Sequence, residues 1–190
     1  MIVLASRSPR RHYLLNMLGI PHVVDPASVE EVQLDGEPAE TFAVRMARAK
    51  ASEGATRHPD KPVLGADTVV VVDGLTLGQP RSAREAEEML ARLGGREHQV
   101  VTAVALASGG WVEDRCDVTR VWFRPLSSQQ IRDYVATGEP LDKAGAYAVQ
   151  GVGGVLVERV EGDFFGVMGL PVRLVVDLLA TTKTPYSFTR

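Results

Sequence analysis

Apolar segments typical of β-strands alternate with amphipathic helical segments along this chain of 190 residues. Residues 2–5, 22–25 and 62–74 are short or long apolar runs, whereas residues 9–19 and 37–54 carry apolar side chains at helical spacing. Chains in which strands and helices interleave in this way usually form α/β domains, with helices packed on a sheet. The sequence therefore predicts an α/β fold without internal repeats or linkers.

The second half of the chain indicates antiparallel strands as well. Residues 98–107 and 112–123 flank a Ser-Gly-Gly turn, and Asp73-Gly74 is a strong hairpin signal after the preceding strand. These long pairs predict a curved, mixed β-sheet with a groove. Further elements are expected as helices at residues 82–93 (opening with a capping box of Ser82 and Glu85), 127–137 and 171–180, and as a strand at residues 155–160.

Composition narrows the class of protein. The chain has 21 basic and 24 acidic residues, so its net charge of −3 gives no basic field for a nucleic acid polymer. The lone Cys116 cannot form an internal disulfide, and no apolar run reaches the roughly 18 residues that span a membrane. We expect a cytoplasmic protein with one domain at residues 1–180, built as two lobes around a cleft, and a polar, loosely docked tail at 181–190.

Two arginines stand at the start of the first helix. Ser8 is a good N-cap and Pro9 suits the first helical position, so Arg10 and Arg11 fall in the first turn. The helix dipole makes each cation there unfavourable by about 0.3–1 kcal/mol. A bound phosphate would compensate, because backbone N–H groups and arginines both favour it. The alternative is a solvated basic turn that pairs with acidic side chains elsewhere.

Carboxylates and a lysine are the other chemical candidates. Asp67 interrupts an apolar run, where burial without a metal or another cation would be costly; alternatively it caps a turn at a strand end. Glu30 and Glu31 lie on a polar loop and offer oxygen ligands that suit Mg²⁺ or Mn²⁺, although such glutamates are often simply solvated. Lys50 shares a helix face with apolar residues, so its ammonium either extends to water or reaches into a site.

A glycine-rich segment at residues 139–151, EPLDKAGAYAVQG, combines Lys143 and Gln150 with a backbone that a ligand can approach closely.

Several enzyme classes are excluded by their missing motifs. The G-x-G-x-x-G and P-loop fingerprints are absent, the four histidines show no metal-binding spacing, and no G-x-S-x-G elbow is present.

A set of short motifs runs in one order from Leu4 to about Leu179 and resembles a known family. The motifs are LASRSPRR, SVEE, ARAKA, GADTVV, EAEEML, TAVAL, EPLDKAGAYAVQG and GDFFGVMGLP. Together they resemble the Maf family of nucleoside triphosphate pyrophosphatases, once described as septum-formation inhibitors. The resemblance implies a Maf/inosine-triphosphatase-like fold with a central substrate cleft, a homodimer, and hydrolysis that depends on a divalent metal cation, Mg²⁺ or Mn²⁺.

The resemblance also implies roles for individual residues. Asp67 would be the general base and a metal ligand, and Glu31 would hold the metal together with Glu30. The substrate-binding residues would be Ser6, Arg10, Arg11, Lys50, Thr68, Lys143 and Gln150. Among these, Arg10, Thr68 and Gln150 match the branch that prefers dTTP and UTP, and a glutamine amide complements the N–H and carbonyl of uracil or thymine. Modified pyrimidine triphosphates would be accepted too.

Two positions depart from the family pattern. Gln79 stands where a lysine usually contacts phosphate, which puts turnover or affinity in doubt, and Ala148 replaces a glycine. Arg81, two residues beyond Gln79, is a candidate substitute for that lysine. Three alternatives remain open: a 7-methyl-GTP pyrophosphatase, an inosine-type pyrophosphatase, and a nucleotide-binding regulator of cell division that does not turn its ligand over.

Overall fold

A computed structural model of the chain describes residues 1–182 and 185–188. The strands and helices follow the predicted alternation. The strands are β1 (Ile2–Leu4), β2 (His22–Val24), β3 (Val63–Val72), β4 (Leu75–Leu77), β5 (Glu97–Ser108), β6 (Trp111–Phe123) and β7 (Val157–Glu161). The α-helices are α1 (Pro9–Met17), α2 (Ala39–Arg57), α3 (Ala83–Leu93), α4 (Ser128–Ala136), α5 (Phe164–Met168) and α6 (Val172–Leu179). Short 3-10 turns cover Glu139–Asp142, Ala144–Ala146 and Val152–Leu156.

The strands form a mixed sheet of seven strands among the described residues, in the order β2-β1-β3-β5-β6-β7, with β4 paired to β3. β1 runs parallel to both β2 and β3, and the intervening helices α1 and α2 supply the crossovers that parallel pairing requires. The β3–β4 and β6–β7 pairs are antiparallel. The predicted α/β class with a mixed sheet flanked by helices is confirmed.

The chain forms two compact units. The first unit contains Met1–Asp67, Thr102–Asp117 and the described residues from Gly169 onward, and the second contains Thr68–Val101 and Val118–Met168. The long strands β3, β5 and β6 contribute residues to both units. The expectation of one domain at residues 1–180, in two lobes around a cleft, stays a prediction.

In the first unit, glycines allow α2 to approach β3 closely. A Cβ built on Gly65 would lie 2.6 Å from the backbone nitrogen of Ala51, and a Cβ on Gly54 would lie 2.8 Å from Cγ1 of Val63. Real side chains do not tolerate such distances, so only glycine permits this spacing at residue 65. As a result, α2 packs in close contact with β3, the strand that also carries Asp67.

In the second unit, α3 and α4 pack on a buried cluster that includes Leu90, Ile131 and Phe123. His98 lies in this core at 2% exposure, and its Nε2 is 2.9 Å from the hydroxyl of Tyr147. The rings of Phe123 and Tyr147 both meet the imidazole edge to face. Burial lowers the pKa of His98 to about 4, because the apolar surroundings disfavour its charged form.

Most predicted elements are confirmed within one to three residues, and three details were wrong. Ser82 caps α3, but the carboxylate of Glu85 accepts from the backbone N–H of Arg81 at 2.7 Å, so the predicted capping box does not form. Residues 155–156 belong to a 3-10 turn rather than to the expected strand, and α5 was not predicted.

Two remaining expectations concern the chain as a whole. The expectation for the tail at 181–190 falls partly on residues 183–184 and 189–190, which lie outside the described residues. Among the described residues, none of the helices combines the length and apolar character that a membrane span needs.

Candidate active site

Three side chains that the sequence analysis selected meet in the first unit. The ammonium nitrogen of Lys50 on α2 lies 2.7 Å from Oδ1 of Asp67 on β3 and 2.7 Å from Oε1 of Glu31. The side chains of Lys50 and Asp67 are 10% and 6% exposed, whereas that of Glu31 is 55% exposed. The Lys50 ammonium was expected either to extend to water or to reach inward, and the structure shows that it reaches inward.

The position of this charge cluster follows from the α2–β3 contact. Residues 65 and 67 lie on the same face of a strand, and Ala47, Lys50 and Ala51 lie on one face of a helix. The absence of a side chain at Gly65 lets this helical face come close to β3, and Lys50 then reaches the carboxylate two residues farther along the strand. The sequence thus builds a buried charge pair from local helix and strand periodicity.

Burial dominates the electrostatics of Asp67. Removal from water raises the pKa of this carboxyl above its usual value, while the charges of Lys50 and Arg11 and the hydrogen bond from Lys50 act in the opposite direction. Glu31 adds a smaller raising effect because two like charges repel. A raised pKa makes this carboxylate a stronger proton acceptor than an ordinary aspartate, and its hydrogen bond to Lys50 fixes its direction.

Ser6 and Arg11 form a second, adjoining part of the first unit. The Ser6 hydroxyl accepts from Nη1 of Arg11 at 3.0 Å and from the backbone N–H of Ser8 at 3.2 Å. Nε of Arg11 donates to the carbonyl of Gly169 at 2.8 Å. Burial lowers the pKa of Arg11, and the negative charges of Asp67 and Glu31 partly offset this effect. The Arg11 guanidinium therefore organises the loop before α1 in addition to any role toward a ligand.

The first turn of α1 separates the two arginines. Arg10 is half-buried, whereas Arg11 is buried at 9% exposure. Ser8 occupies the predicted N-cap position with extended backbone, but its side chain makes no capping hydrogen bond; Pro9 stands at the predicted first helical position. The bonds from Arg11 to Ser6 and Gly169 thus offset the unfavourable interaction of its charge with the helix dipole.

The donor set around Lys50 fits a hard divalent cation of the Mg²⁺ type. Asp67 and Glu31 direct one oxygen each at a single cationic nitrogen, so the two carboxylates already converge on one positive charge. Mg²⁺ commonly uses one or two carboxylates and takes its other ligands from water and substrate phosphates. No group of three or more His, Cys, Asp or Glu side chains suited to a metal occurs among the described residues, so Glu30 is not gathered with Glu31 and Asp67 into a complete protein cage.

The other predicted substrate residues belong to the second unit. Thr68 is half-buried in β3. Nζ of Lys143 donates to the backbone carbonyl of Glu139 at 2.6 Å and pairs with Asp142. Gln150 is exposed in the turn that follows Tyr147. The candidate substitute Arg81 has an 89% exposed side chain that pairs with Glu85 four residues on.

Sequence reasoning missed one set of contacts in each unit. The carbonyl of Gly169 accepts a hydrogen bond from Arg11, which is 158 residues away in the chain, and no local sequence pattern predicts this contact. Glu139 accepts hydrogen bonds from Tyr134, Val152 and Gly153, although it was not assigned a role. The closely spaced glycines after Gln150 were the available signal, since they leave room for such a carboxylate.

Comparison with known proteins agrees with this arrangement of motifs. A family model described as Maf-like protein matches residues 1–182. The chain is 50% identical over 180 residues to a dTTP/UTP pyrophosphatase of Methylobacillus flagellatus, covering 94% of this chain and 90% of that protein. It is 47% identical over 184 residues to a dTTP/UTP pyrophosphatase of Symbiobacterium thermophilum, covering 97% and 95%.

Similar values hold for a third relative, and a solved structure is more distant. A dTTP/UTP pyrophosphatase of Neisseria meningitidis serogroup B is 45% identical over 185 residues, covering 94% of this chain and 92% of that protein. The Ham1 protein of Staphylococcus aureus aligns with a TM-score of 0.45 and 19% identity, over 64% of this chain and 71% of that one. The family model and the relatives extend over nearly the whole chain and confirm the resemblance drawn from its motifs: the protein belongs to the Maf family.

Proposed function

We propose that this chain is a nucleoside triphosphate pyrophosphatase that hydrolyses dTTP and UTP to the monophosphate and pyrophosphate. The names of relatives that are 45–50% identical over nearly the whole chain support the substrate class. The observation that carries the proposal is the Asp67 carboxylate, buried at 4% exposure and held by Lys50. A protein that only bound a nucleotide would have no need for such a group, because a buried carboxylate repels phosphate.

In the proposed reaction, Asp67 accepts a proton from water as the water oxygen attacks the α-phosphorus. The bond between the α-phosphorus and the bridging oxygen breaks, and pyrophosphate leaves with the electron pair. Lys50 keeps the Asp67 carboxylate oriented and, with Arg10, offers positive charge to the phosphates. The Ser6 hydroxyl, which accepts from Arg11 and from the backbone N–H of Ser8, is proposed as a further phosphate contact in the loop before α1, where a helix N-terminus favours anions.

A divalent cation, Mg²⁺ or Mn²⁺, completes the proposed machinery. Asp67 and Glu31 would hold it, together with the neighbouring Glu30. When bound, the cation would offset the phosphate charge during attack and departure. We further propose that the protein acts as a homodimer in the cytoplasm and removes unwanted pyrimidine triphosphates, including modified ones, from nucleotide pools.

Recognition of the base is assigned to the second unit. The amide of Gln150 has a donor and an acceptor that match the ring N–H and carbonyl shared by uracil and thymine. Thr68 and Lys143 are proposed as further substrate contacts, and Gln79 removes one cation that related proteins would use. We therefore expect preference for uracil and thymine nucleotides over cytosine nucleotides, which present the reverse pattern.

Pyrophosphate release tests this function directly. The purified protein is incubated with dTTP, UTP, CTP, 7-methyl-GTP and ITP, each with Mg²⁺ or Mn²⁺ and after metal chelation. We expect release from dTTP and UTP in the presence of metal, and a loss of at least about 100-fold in Asp67→Asn, because proton transfer by a positioned base contributes about 10²–10⁴-fold. Asp60→Asn, an exposed aspartate of the same unit, is the matched control. Equal turnover by Asp67→Asn would refute the assigned base.

A further inference from the structure

Gln150 occupies a tight turn whose two ends are fixed. The backbone N–H of Gly151 donates to the carbonyl of Ala148 at 3.2 Å, which closes a four-residue turn with Gln150 in third position. The Gln150 side chain is exposed, so no packing around the amide sets its direction. The backbone of the turn therefore sets the point and direction from which this side chain leaves the main chain.

One tyrosine and one glutamate hold that backbone from both sides. The Tyr134 hydroxyl accepts from the N–H of Ala148 at 3.1 Å and donates to Oε2 of Glu139 at 2.7 Å. Oε1 of Glu139 accepts from the N–H of Val152 at 3.0 Å, and Oε2 accepts from the N–H of Gly153 at 2.8 Å. The residue that starts the turn and the two residues that follow it are thus bound to one pair of side chains.

The backbone next to this pair has no room for a β-carbon at two glycine positions. A Cβ on Gly151 would overlap Oε1 of Glu139, and a Cβ on Gly153 would lie 2.8 Å from Cζ of Tyr134. Burial acts to raise the pKa of Glu139, but the N–H of Gly153 and the Tyr134 hydroxyl outweigh it and leave this pKa below its usual value. Glu139 is therefore an ionised acceptor whose two oxygens are all used in binding the segment.

Backbone satisfaction accounts for only part of these contacts. Ala148 and Gly153 are buried and their N–H groups need a partner inside the protein, whereas Val152 is exposed and water could satisfy its N–H without a carboxylate. The convergent charge-assisted bonds also restrict the segment to one conformation. An amide that must distinguish two bases by hydrogen bonding requires such restriction, since a mobile amide would find partners on either base.

We propose that Glu139, acting with Tyr134, is a positioning residue that fixes the Gln150 turn for recognition of the pyrimidine base. This inference rests on the proposed function and adds a specificity determinant to it. Glu139 does not itself contact the base in this assignment; it acts through the turn.

The test compares UTP with CTP, which share the sugar and the triphosphate and differ in the base edge. In Glu139→Gln, an NH₂ group replaces one carboxylate oxygen and faces a backbone N–H donor, so at least one bond is lost. We expect the ratio of kcat/KM for UTP to that for CTP to fall by about tenfold, the effect of losing one good bidentate contact to a base. The loss should appear mainly as a higher KM for UTP, with kcat within about threefold of wild type if chemistry is unaffected.

Three further variants separate positioning from simple loss of structure. Gly151→Ala displaces the carboxylate from the other side and should reproduce the fall in the ratio. Glu158→Gln, on the exposed part of β7, is the matched control and should leave the ratio unchanged. In a Gln150→Ala background, Glu139→Gln should cause no further fall, because the residue through which it acts is gone. Thermal unfolding of each variant identifies those with a folded population too small to assay.

The outcomes distinguish this inference from the function on which it rests. If wild type releases no pyrophosphate from UTP, the proposed function fails and the inference fails with it. If wild type prefers UTP but Glu139→Gln and Gly151→Ala keep the ratio within about twofold, only the positioning role is overturned. An equal fall in the presence and absence of Gln150 would also overturn it.

Discussion

Replacement of Lys50 by methionine should destabilise the protein more than replacement of its buried partner. The variant removes the ammonium that lies 2.7 Å from both Asp67 and Glu31. Glu31 is 55% exposed on its side chain and regains water, whereas Asp67 at 6% does not. Removing one member of a buried ion pair costs about 3–5 kcal/mol, and we expect about 3 kcal/mol here because a single carboxylate is left uncompensated.

Replacement of the buried carboxylate partner should cost less free energy of unfolding. In Asp67→Asn the ammonium of Lys50 keeps Glu31, and the asparagine oxygen still accepts a hydrogen bond, so we expect a loss of about 1 kcal/mol. The free energy of unfolding of the double variant, Lys50→Met with Asp67→Asn, should then be close to that of Asp67→Asn alone. The resulting coupling of about 3 kcal/mol would be typical of residues in direct contact within one charge network.

Urea denaturation at pH 7.5, followed by far-ultraviolet circular dichroism, measures these free energies of unfolding. Lys61→Met in the same unit is the control lysine and should change stability by less than about 0.5 kcal/mol. In Lys50→Met the folded-state pKa of Asp67 rises further, so stability present at low pH should decline as pH rises through that pKa. Additive losses in the double variant, or a Lys50→Met cost below about 1 kcal/mol, would refute the argument.

Two predictions concern the second unit. His98, whose pKa burial lowers from 6.5 to about 4, stays neutral while the unfolded chain takes up a proton, so stability should fall between pH 6.5 and 4. Urea titrations should show a loss of about 2 kcal/mol from pH 7 to pH 5 that His98→Gln lacks; parallel curves for both proteins would contradict this. Ser127→Ala removes the hydroxyl that accepts from the N–H of Gln130 at 3.2 Å and should lower the free energy of unfolding by about 1 kcal/mol. Ser128→Ala, one residue inside the helix, should leave it nearly unchanged in the same assay, and equal effects would argue against the cap.

Local patterns predicted the elements that carry the first part of the site. Pro9 and the left-handed Gly19 mark the ends of α1 in the sequence and in the structure. The helical face that includes Lys50 and the apolar run that includes Asp67 were both recognisable, and burial of Asp67 was expected to be costly without a metal or another cation. What the sequence could not show is that Lys50 supplies this cation, because helix-to-strand contacts depend on packing between segments far apart in the chain.

Long-range contacts explain the remaining differences. Arg11 was predicted either to bind phosphate or to lie in a solvated basic turn paired with acidic side chains, whereas its bonds to Ser6 and Gly169 give it a structural role. The strand predicted from residue 155 begins at Val157, because the preceding residues form a 3-10 turn whose first amides bind Glu139. In each case a side chain from another segment competes with the local preference of the backbone.

The site also depends on a residue that has no functional group. Any β-carbon at position 65 would force α2 away from the sheet, and the lysine ammonium would then fall short of its carboxylate. Gly65 therefore sets the distance across which Lys50 reaches Asp67. A side chain at this position would break the Lys50–Asp67 contact through distance alone, without changing either charged group.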